Sequence, residues 1–350
     1  MVNMIRKSNS RKSKKIKIKH IVYVVISIFA TYICLRSVYL YNQDNVYSIA
    51  FHPKQYYLDF GYFKEERAFE LDDNFVTYVD FSKVKSLSAE SGKSYSPISI
   101  GIMGLKYYKE FLKHKTGSSK QIFLAHADWL VENIDDGFWY LEHRKKIYGE
   151  LLDEKWPSAL AQGVGISVLT RAHLVTGDDR YKTTALKALK PFQMSIKEGG
   201  IATKFPHGVA FEEYPTSKPK QVLNGMITSL WGLYDLHYYY NSEVAKKLFD
   251  SGIEFLENNL ESYNASFWTR YSLAEPKLSN RYVLVSPWYQ KLHAVQLKSL
   301  CDITNSKEIC FHAEDIKRQE QSSYFNFIIY PAYSTYEVLT YIRTLALSIF

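Results

Sequence analysis

From residue 97 onward, apolar residues recur at helical spacing, and the helical stretches come in pairs separated by short polar breaks. Pro97 opens a helix expected over 98–112, a Lys/Gly/Ser break follows, and 121–134 makes the return. The same pattern predicts 158–176 with 181–194 across Gly177-Asp178-Asp179, 222–240 with 242–260, and 292–303 with 306–318. The first helices begin near 97, 157, 222 and 288, a spacing of roughly sixty to sixty-eight residues, which is the length of one helical hairpin and its loop. Each of the first three carries two glycines: Gly101 and Gly104, Gly163 and Gly165, Gly225 and Gly232. An interior glycine costs a helix about 1 kcal/mol against alanine, so their recurrence points to close packing around a central axis. The fold expected is mainly α, an (α/α) toroid of about four helical hairpins over 96–320. The loops entering its inner helices would then meet at one cleft.

Residues 42–95 follow another pattern. The runs at 56–63 and 74–81 are aromatic and β-branched, which predicts a short accessory β segment. After the toroid comes an extension over 321–350, with a strand-like Phe327-Ile328-Ile329-Tyr330 and an apolar helix from Ser334.

At the other end, residues 21–35 carry no charge and run into Arg36 and an apolar-aromatic stretch to Tyr41. Twenty-one residues at helical rise cross a bilayer core of about 30 Å, and Arg36 can extend to the far headgroups. No small-x-small cleavage site follows, so an uncleaved N-terminal transmembrane signal anchor over 21–41 is expected rather than a signal peptide. The basic tail, 1–20, keeps that end cytoplasmic. The expectation is a single-pass type II protein, with its body in a Golgi-type lumen or on the periplasmic side of an inner membrane.

Charge bears on partners only once it is located. The chain of 350 residues has 44 Lys and Arg against 36 Asp and Glu, a formal charge of +8. Eight of those bases lie before residue 20, so the body is neutral and offers no general basic surface for nucleic acid. Cys34 lies in the anchor; Cys301 and Cys310 flank a turn and are compatible either with a disulfide or with two thiols. No Cys or His spacing resembles a metal site, and no cofactor is expected.

Candidate chemistry centres on Phe211-Glu212-Glu213-Tyr214-Pro215-Thr216, whose Tyr214 lies ten residues before Asn224-Gly225. It places two carboxylates and a phenol on a Pro-interrupted loop leading into a helix. With Tyr95-Ser96-Pro97, Trp156-Pro157-Ser158-Ala159, Gln162-Gly163, Arg171-Ala172, Thr269-Arg270-Tyr271-Ser272-Leu273, Trp288-Tyr289, His293 and Gln296-Leu297, it resembles the glucuronyl C5-epimerase family in order and spacing over roughly 95–310. The resemblance implies inversion of D-glucuronate to L-iduronate within a heparan-type polysaccharide. It also implies proton transfer by Tyr214, Tyr289 and Tyr271 with the neighbouring acid Glu213. Asn224, Arg171, Gln162, Trp156 and Arg270 are the substrate-binding candidates.

Two positions depart from the family's pattern. Ala274 stands where relatives carry an arginine, so Arg270 or Arg281 would have to meet the substrate carboxylate; Trp288 replaces an acid. The chemistry needs a base, Glu213 or a tyrosinate, for a weakly acidic hydrogen beside a carboxylate, and a donor on the opposite face. Two other outcomes stay open at this level: a uronate polysaccharide lyase, or a glycan-binding member without activity. The expected partners are an acidic polysaccharide, the membrane through the N-terminal helix and, as an open alternative, a second copy in a homodimer. The sequon Asn264-Ala265-Ser266 is expected to be bare, because a glycan there would obstruct the cleft.

Overall fold

A computed structural model describes residues 21–40, 55–59, 69–82, 92–147, 149–274 and 285–349. The chain divides into two compact units, one formed by Asn45–Glu320 and the other by Met1–Asp44 with Gln321–Phe350. The smaller unit contains helix α1 (Ile21–Leu40).

The larger unit opens with three short antiparallel strands, β1 (Phe69–Leu71), β2 (Thr77–Asp80) and β3 (Lys93–Ser94), in the order β1-β2-β3. Asp72 closes their first turn by accepting from the Asn74 and Val76 amides. Four helical hairpins follow. They are α2 (Pro97–His114) with α3 (Gly117–Glu132), α4 (Ala159–Thr176) with α5 (Asp179–Lys187) and the short α6 (Lys190–Gln193), α7 (Leu223–Tyr240) with α8 (Glu243–Tyr263), and α9 (Pro287–Thr304) with α10 (Lys307–Gln321). The third element of the second hairpin is a departure from the single return helix expected over 181–194. Pro191 lacks an amide proton to continue α5, and its carbonyl instead accepts from Ile201.

The first helices pack in succession, α2 on α4, α4 on α7 and α7 on α9. Glycine permits the closest of these approaches. A Cβ on Gly163 would lie 2.6 Å from the Ser229 Cα, and one on Gly232 would lie 2.7 Å from the Gly163 carbonyl, so α4 and α7 touch backbone to backbone. Both helices are buried nearly all round, which explains why neither shows a clean polar face. Cys301 and Cys310 form a disulfide across the α9–α10 turn.

Within this core lies a fully buried ion pair. Arg171 on α4 meets Asp235 on α7 through Nη1 at 2.6 Å and Nη2 at 3.2 Å. The Ser167 and Tyr57 hydroxyls each donate to that carboxylate at 2.6 Å, and Arg171 also donates to the Gln55 carbonyl. Tyr57 stacks on Trp231, so the segment 55–59 is held against the α4–α7 crossing without being a strand. That corrects the strand expected from residue 56; Phe60–Phe63, the basic tail and Arg281 lie outside the described residues. The strand expected at 327–330 is also corrected, because these residues belong to α11 (Ser323–Ile349), which runs through Pro331.

Between the hairpins lie paired strands: β4 (Tyr140–Leu141) with β7 (Trp156–Pro157), β5 (Lys145–Ile147) with β6 (Glu150–Leu152), and β8 (Ala202–Lys204) with β9 (Val209–Phe211). They stand before α4 and α7 and carry the residues described next.

Candidate active site

The loop from β9 to α7 is fixed by the first of its two acids. Glu212 is fully buried, and one carboxylate oxygen accepts from the Lys220 and Gln221 amides at 3.0 and 2.8 Å. Its backbone is equally engaged, donating to Ile201 and accepting from Ala159 at the start of α4. Burial pushes its carboxyl up to about 7, against the amides that hold the charged form. Glu212 therefore closes the loop, and Glu213 is left to face inward.

Glu213 is buried beside the first turn of α7, where Asn224 Nδ2 approaches its carboxylate at 3.5 Å. A Cβ on Gly225 would lie 2.4 Å from the Glu213 Oε2, so glycine is what lets the carboxylate reach this position. Burial raises the Glu213 carboxyl above its usual range; the Tyr214 hydroxyl, the Lys145 charge, Asn224 and Tyr271 pull it back. Tyr214 has its phenol pushed well above 10 by burial and then by the neighbouring Glu213 charge. Tyr271 is raised in the same way and hydrogen-bonds Tyr214. All these directions favour a neutral Tyr214 and Tyr271 beside a carboxylate that ionises late. A tyrosinate base is therefore disfavoured in the resting site.

Three separate links bring Tyr271 and Tyr289 to this acid. Residues 271–273 run along the loop, with the Leu223 amide donating to the Tyr271 carbonyl and the Leu273 amide to the Lys220 carbonyl. Ser286 caps α9 by accepting from the Tyr289 amide, which puts Tyr289 in the first helical turn. Gln290 Oε1 accepts from both the Thr269 amide and hydroxyl, tying α9 to the strand-like 269–273. As a result the Tyr271 and Tyr289 rings meet edge to face at 5.2 Å. Because the Thr269 hydroxyl donates to Gln290, it accepts from His293 Nδ1 at 2.9 Å, which fixes the proton on that nitrogen. Burial lowers His293 to about 3, so the ring is neutral and positions α9 rather than carrying charge.

Trp156, expected to bind substrate, is 3% exposed and backs Tyr214 with ring centroids 5.8 Å apart, its indole donating to the His143 carbonyl. Two other expected ligands are not in the cluster. Gln162 is fully buried and uses both ends of its amide on Trp139, Gly137 and Ala188. Arg171 is committed to Asp235, twelve residues and about 18 Å along α4 from Ala159. In this structure the polar groups of both side chains serve the core. Asn224 is in the cluster. Arg270 adjoins it through Tyr271; its Nε is buried without a hydrogen-bond partner.

A residue that the sequence reading passed over completes the arrangement. Lys145 on β5 places its ammonium 3.4 Å from the Tyr214 hydroxyl and 4.8 Å from the centre of that ring. Burial lowers its pKa while the Glu213 charge raises it. The hairpin that carries it is held to the loop from its other strand, where Glu150 binds the Ser217 amide and the Lys220 ammonium at 2.8 and 2.6 Å. The one sequence signal was the basic triplet Arg144-Lys145-Lys146, in a body otherwise balanced in charge.

The helical hairpins and the strands between them thus bring one acid, three tyrosines and a lysine together where α7 and α9 begin. Residues 132–318 match the family described as the D-glucuronyl C5-epimerase C-terminus, and the chain belongs to that family. Over 221 residues it is 34% identical to a D-glucuronyl C5-epimerase of Caenorhabditis elegans, which is 59% of this chain and 36% of that protein. The chain thus spans little more than a third of that relative. An uncharacterized protein of Methanocaldococcus jannaschii is 25% identical over 222 residues, 58% of this chain and 68% of that one. Among solved structures, the unsaturated glucuronyl hydrolase of Bacillus sp. GL1 is similar with a TM-score of 0.44 and 14% identity, over 63% of this chain and 60% of that one.

Proposed function

We propose that this chain inverts D-glucuronate to L-iduronate at carbon 5 within an acidic polysaccharide of the heparosan or heparan type. The observation that carries this reading is the Glu213–Tyr214 pair meeting Tyr271, Tyr289 and Lys145 at the entrances to α7 and α9. In this reading the four hairpins form an (α/α) toroid with the cluster at one mouth. Helix α1 is an uncleaved anchor, and the body lies on the non-cytoplasmic side.

Glu213 takes the proton from carbon 5, and the electron pair of that bond moves into the sugar's carboxylate as an enediolate. A charge of that kind needs a cation, and Lys145 supplies it, with Arg270 as the second candidate; the family's arginine is absent at Ala274. A neutral phenol, Tyr214 or Tyr289, returns a proton to carbon 5 from the opposite face. Glu213 then holds one proton too many and the phenolate one too few. Tyr271, in hydrogen-bond contact with Glu213 and Tyr214, is placed to pass the proton back and restore the resting site. Positioned groups of this kind each contribute about 10²- to 10⁴-fold.

The test is incubation of the full chain in detergent micelles with uronic-acid polymers, following iduronate by proton NMR and unsaturated product by ultraviolet absorbance. Iduronate without an absorbing product is expected. An absorbing product would replace this reading with β-elimination, and neither signal on any polymer would replace it with glycan binding.

A further inference from the structure

The smaller unit contains a feature that the catalytic reading does not use. Helix α11 spans Ser323–Ile349, and in those 27 residues the sequence has only Glu337 and Arg343 as charges. Among its described side chains, the buried ones form a single narrow stripe, Asn326, Tyr330 and Ser334, one every four residues. Five large apolar or aromatic side chains on its other sides are open: Phe327 is 82% exposed and Leu339 57%, with Tyr324, Ile328 and Tyr336 also exposed. A soluble protein rarely leaves such a face uncovered.

The place where α11 touches α1 indicates what covers it. Ser37 Oγ lies 3.2 Å from Ser334 Oγ, both buried, while Ser37 also donates to the Ile33 carbonyl. Small hydroxylated residues at a crossing of two apolar helices are the contact that membranes favour, where no hydrophobic effect pulls helices together. Thr335 donates back to the Pro331 carbonyl within α11, which offers a local hydrogen bond at the proline. The depth of the crossing is marked on α1. Ser37 adjoins Arg36, whose guanidinium stands over the Tyr39 ring at 5.2 Å, the pairing of cation and tyrosine expected at a headgroup boundary. Residues 21–32 of α1 are all exposed, so α11 meets only the last turns of the span and does not run its length.

We propose that α11 is a second membrane-embedded helix, seated in the leaflet at the Leu40 end of α1, with lipid acyl chains and headgroups covering its Tyr324, Phe327, Ile328, Tyr336 and Leu339 face. The inference rests on reading α1 as a membrane span and is independent of the chemistry at Glu213. An amphipathic tyrosine-rich surface suits that boundary, where rings meet acyl chains and hydroxyls meet water.

The experiment uses the full chain with Cys34→Ser, reconstituted in phosphatidylcholine vesicles. An environment-sensitive fluorophore is attached at Phe327→Cys or Leu339→Cys and challenged with nitroxide-bearing lipid. Val38→Cys on α1 and Glu254→Cys on α8 are the membrane and water references. Quenching at both α11 sites at least half as strong as at Val38→Cys is expected, with a blue-shifted emission. Quenching no greater than at Glu254→Cys would overturn the proposal. So would disulfide crosslinking of Phe327→Cys between chains that displaces the quencher, since a second copy would then cover the face. Loss of quenching at Val38→Cys itself would instead remove the anchor reading on which the proposal stands. Retained iduronate formation by the Cys34→Ser parent shows that the protein in use is folded.

Discussion

The body contains two buried groupings built from the same three kinds of side chain, a carboxylate, a cation and phenols. At the α4–α7 crossing, Asp235 receives Arg171 directly at 2.6 Å and is further satisfied by Ser167 and Tyr57. At the mouth of α7, the Lys145 ammonium lies over the Tyr214 phenol, while Glu213 is met by an amide and hydroxyls. The first arrangement neutralises its charge and closes upon itself, which fixes the segment 55–59 and the helix crossing. The second leaves a carboxylate whose proton affinity is raised by burial, next to phenols that stay protonated. One carboxylate is spent on structure; the other remains able to exchange a proton. The proposed mechanism rests on that difference in compensation and not on residue type, which the two groupings share.

The comparison can be broken from either side. Glu213→Gln keeps size and shape, and should lower iduronate formation by about 10³-fold or more with an unchanged melting temperature. Asp235→Ala should do the reverse. Removing one partner of a buried ion pair costs about 3–5 kcal/mol, so thermal melting should fall steeply, and any activity that survives at low temperature should retain its pH profile. Tyr214→Phe should reduce turnover by about 10²-fold without loss of polymer binding, measured by kinetics alongside affinity chromatography. Lys145→Ala should cost about 10- to 100-fold, chiefly in kcat/KM, with partial rescue by Lys145→Arg, as expected for a charge-assisted contact worth about 1.5–3 kcal/mol.

The smallest effect concerns pH. Activity should rise with pH as Glu213 ionises, with its acid limb above the ordinary glutamate range, and Glu213→Gln should remove that limb. Glu212 gives a stability effect of opposite sense. Its carboxyl is raised to about 7 in the folded protein, so the folded state binds the proton more tightly than the unfolded chain. Stability from this group is present below the usual glutamate pKa and is lost as pH rises towards 7, by about 3 kcal/mol at most. Glu212→Gln should flatten the melting temperature between pH 5 and 7.5.

How much of this was legible in the sequence follows from which interactions are local. Helical hairpins announce themselves through apolar spacing and through punctuation by Pro97, Pro157 and Gly177, and those breaks stand close to the observed ends of α2, α4 and their partners. The paired glycines on the first helices signalled close contact, and Gly163 against Ser229 is such a contact. Aromatic runs were less informative. Tyr56 and Tyr57 have the composition of a strand, yet they pack against Trp231 at a helix crossing, while 327–330 continue as helix because α11 presents an apolar surface on several sides. Gln162 and Arg171 were candidate sugar ligands through the family resemblance; their partners in the core, Trp139 and Asp235, lie at sequence distances that no local pattern reveals. Lys145 was hidden for the same reason, since its position depends on Glu150 reaching Lys220 seventy residues away.

The central claim is that Glu213 takes a proton from carbon 5 of a polymer-bound uronate. Its most direct test is release of label from a heparosan-type polymer carrying tritium at that carbon, comparing the full chain with its Glu213→Gln variant at equal folded fraction. The account predicts that the parent releases tritium to water as iduronate accumulates, and that the variant releases it about 10³-fold more slowly. Tritium release by Glu213→Gln at the parental rate would contradict it.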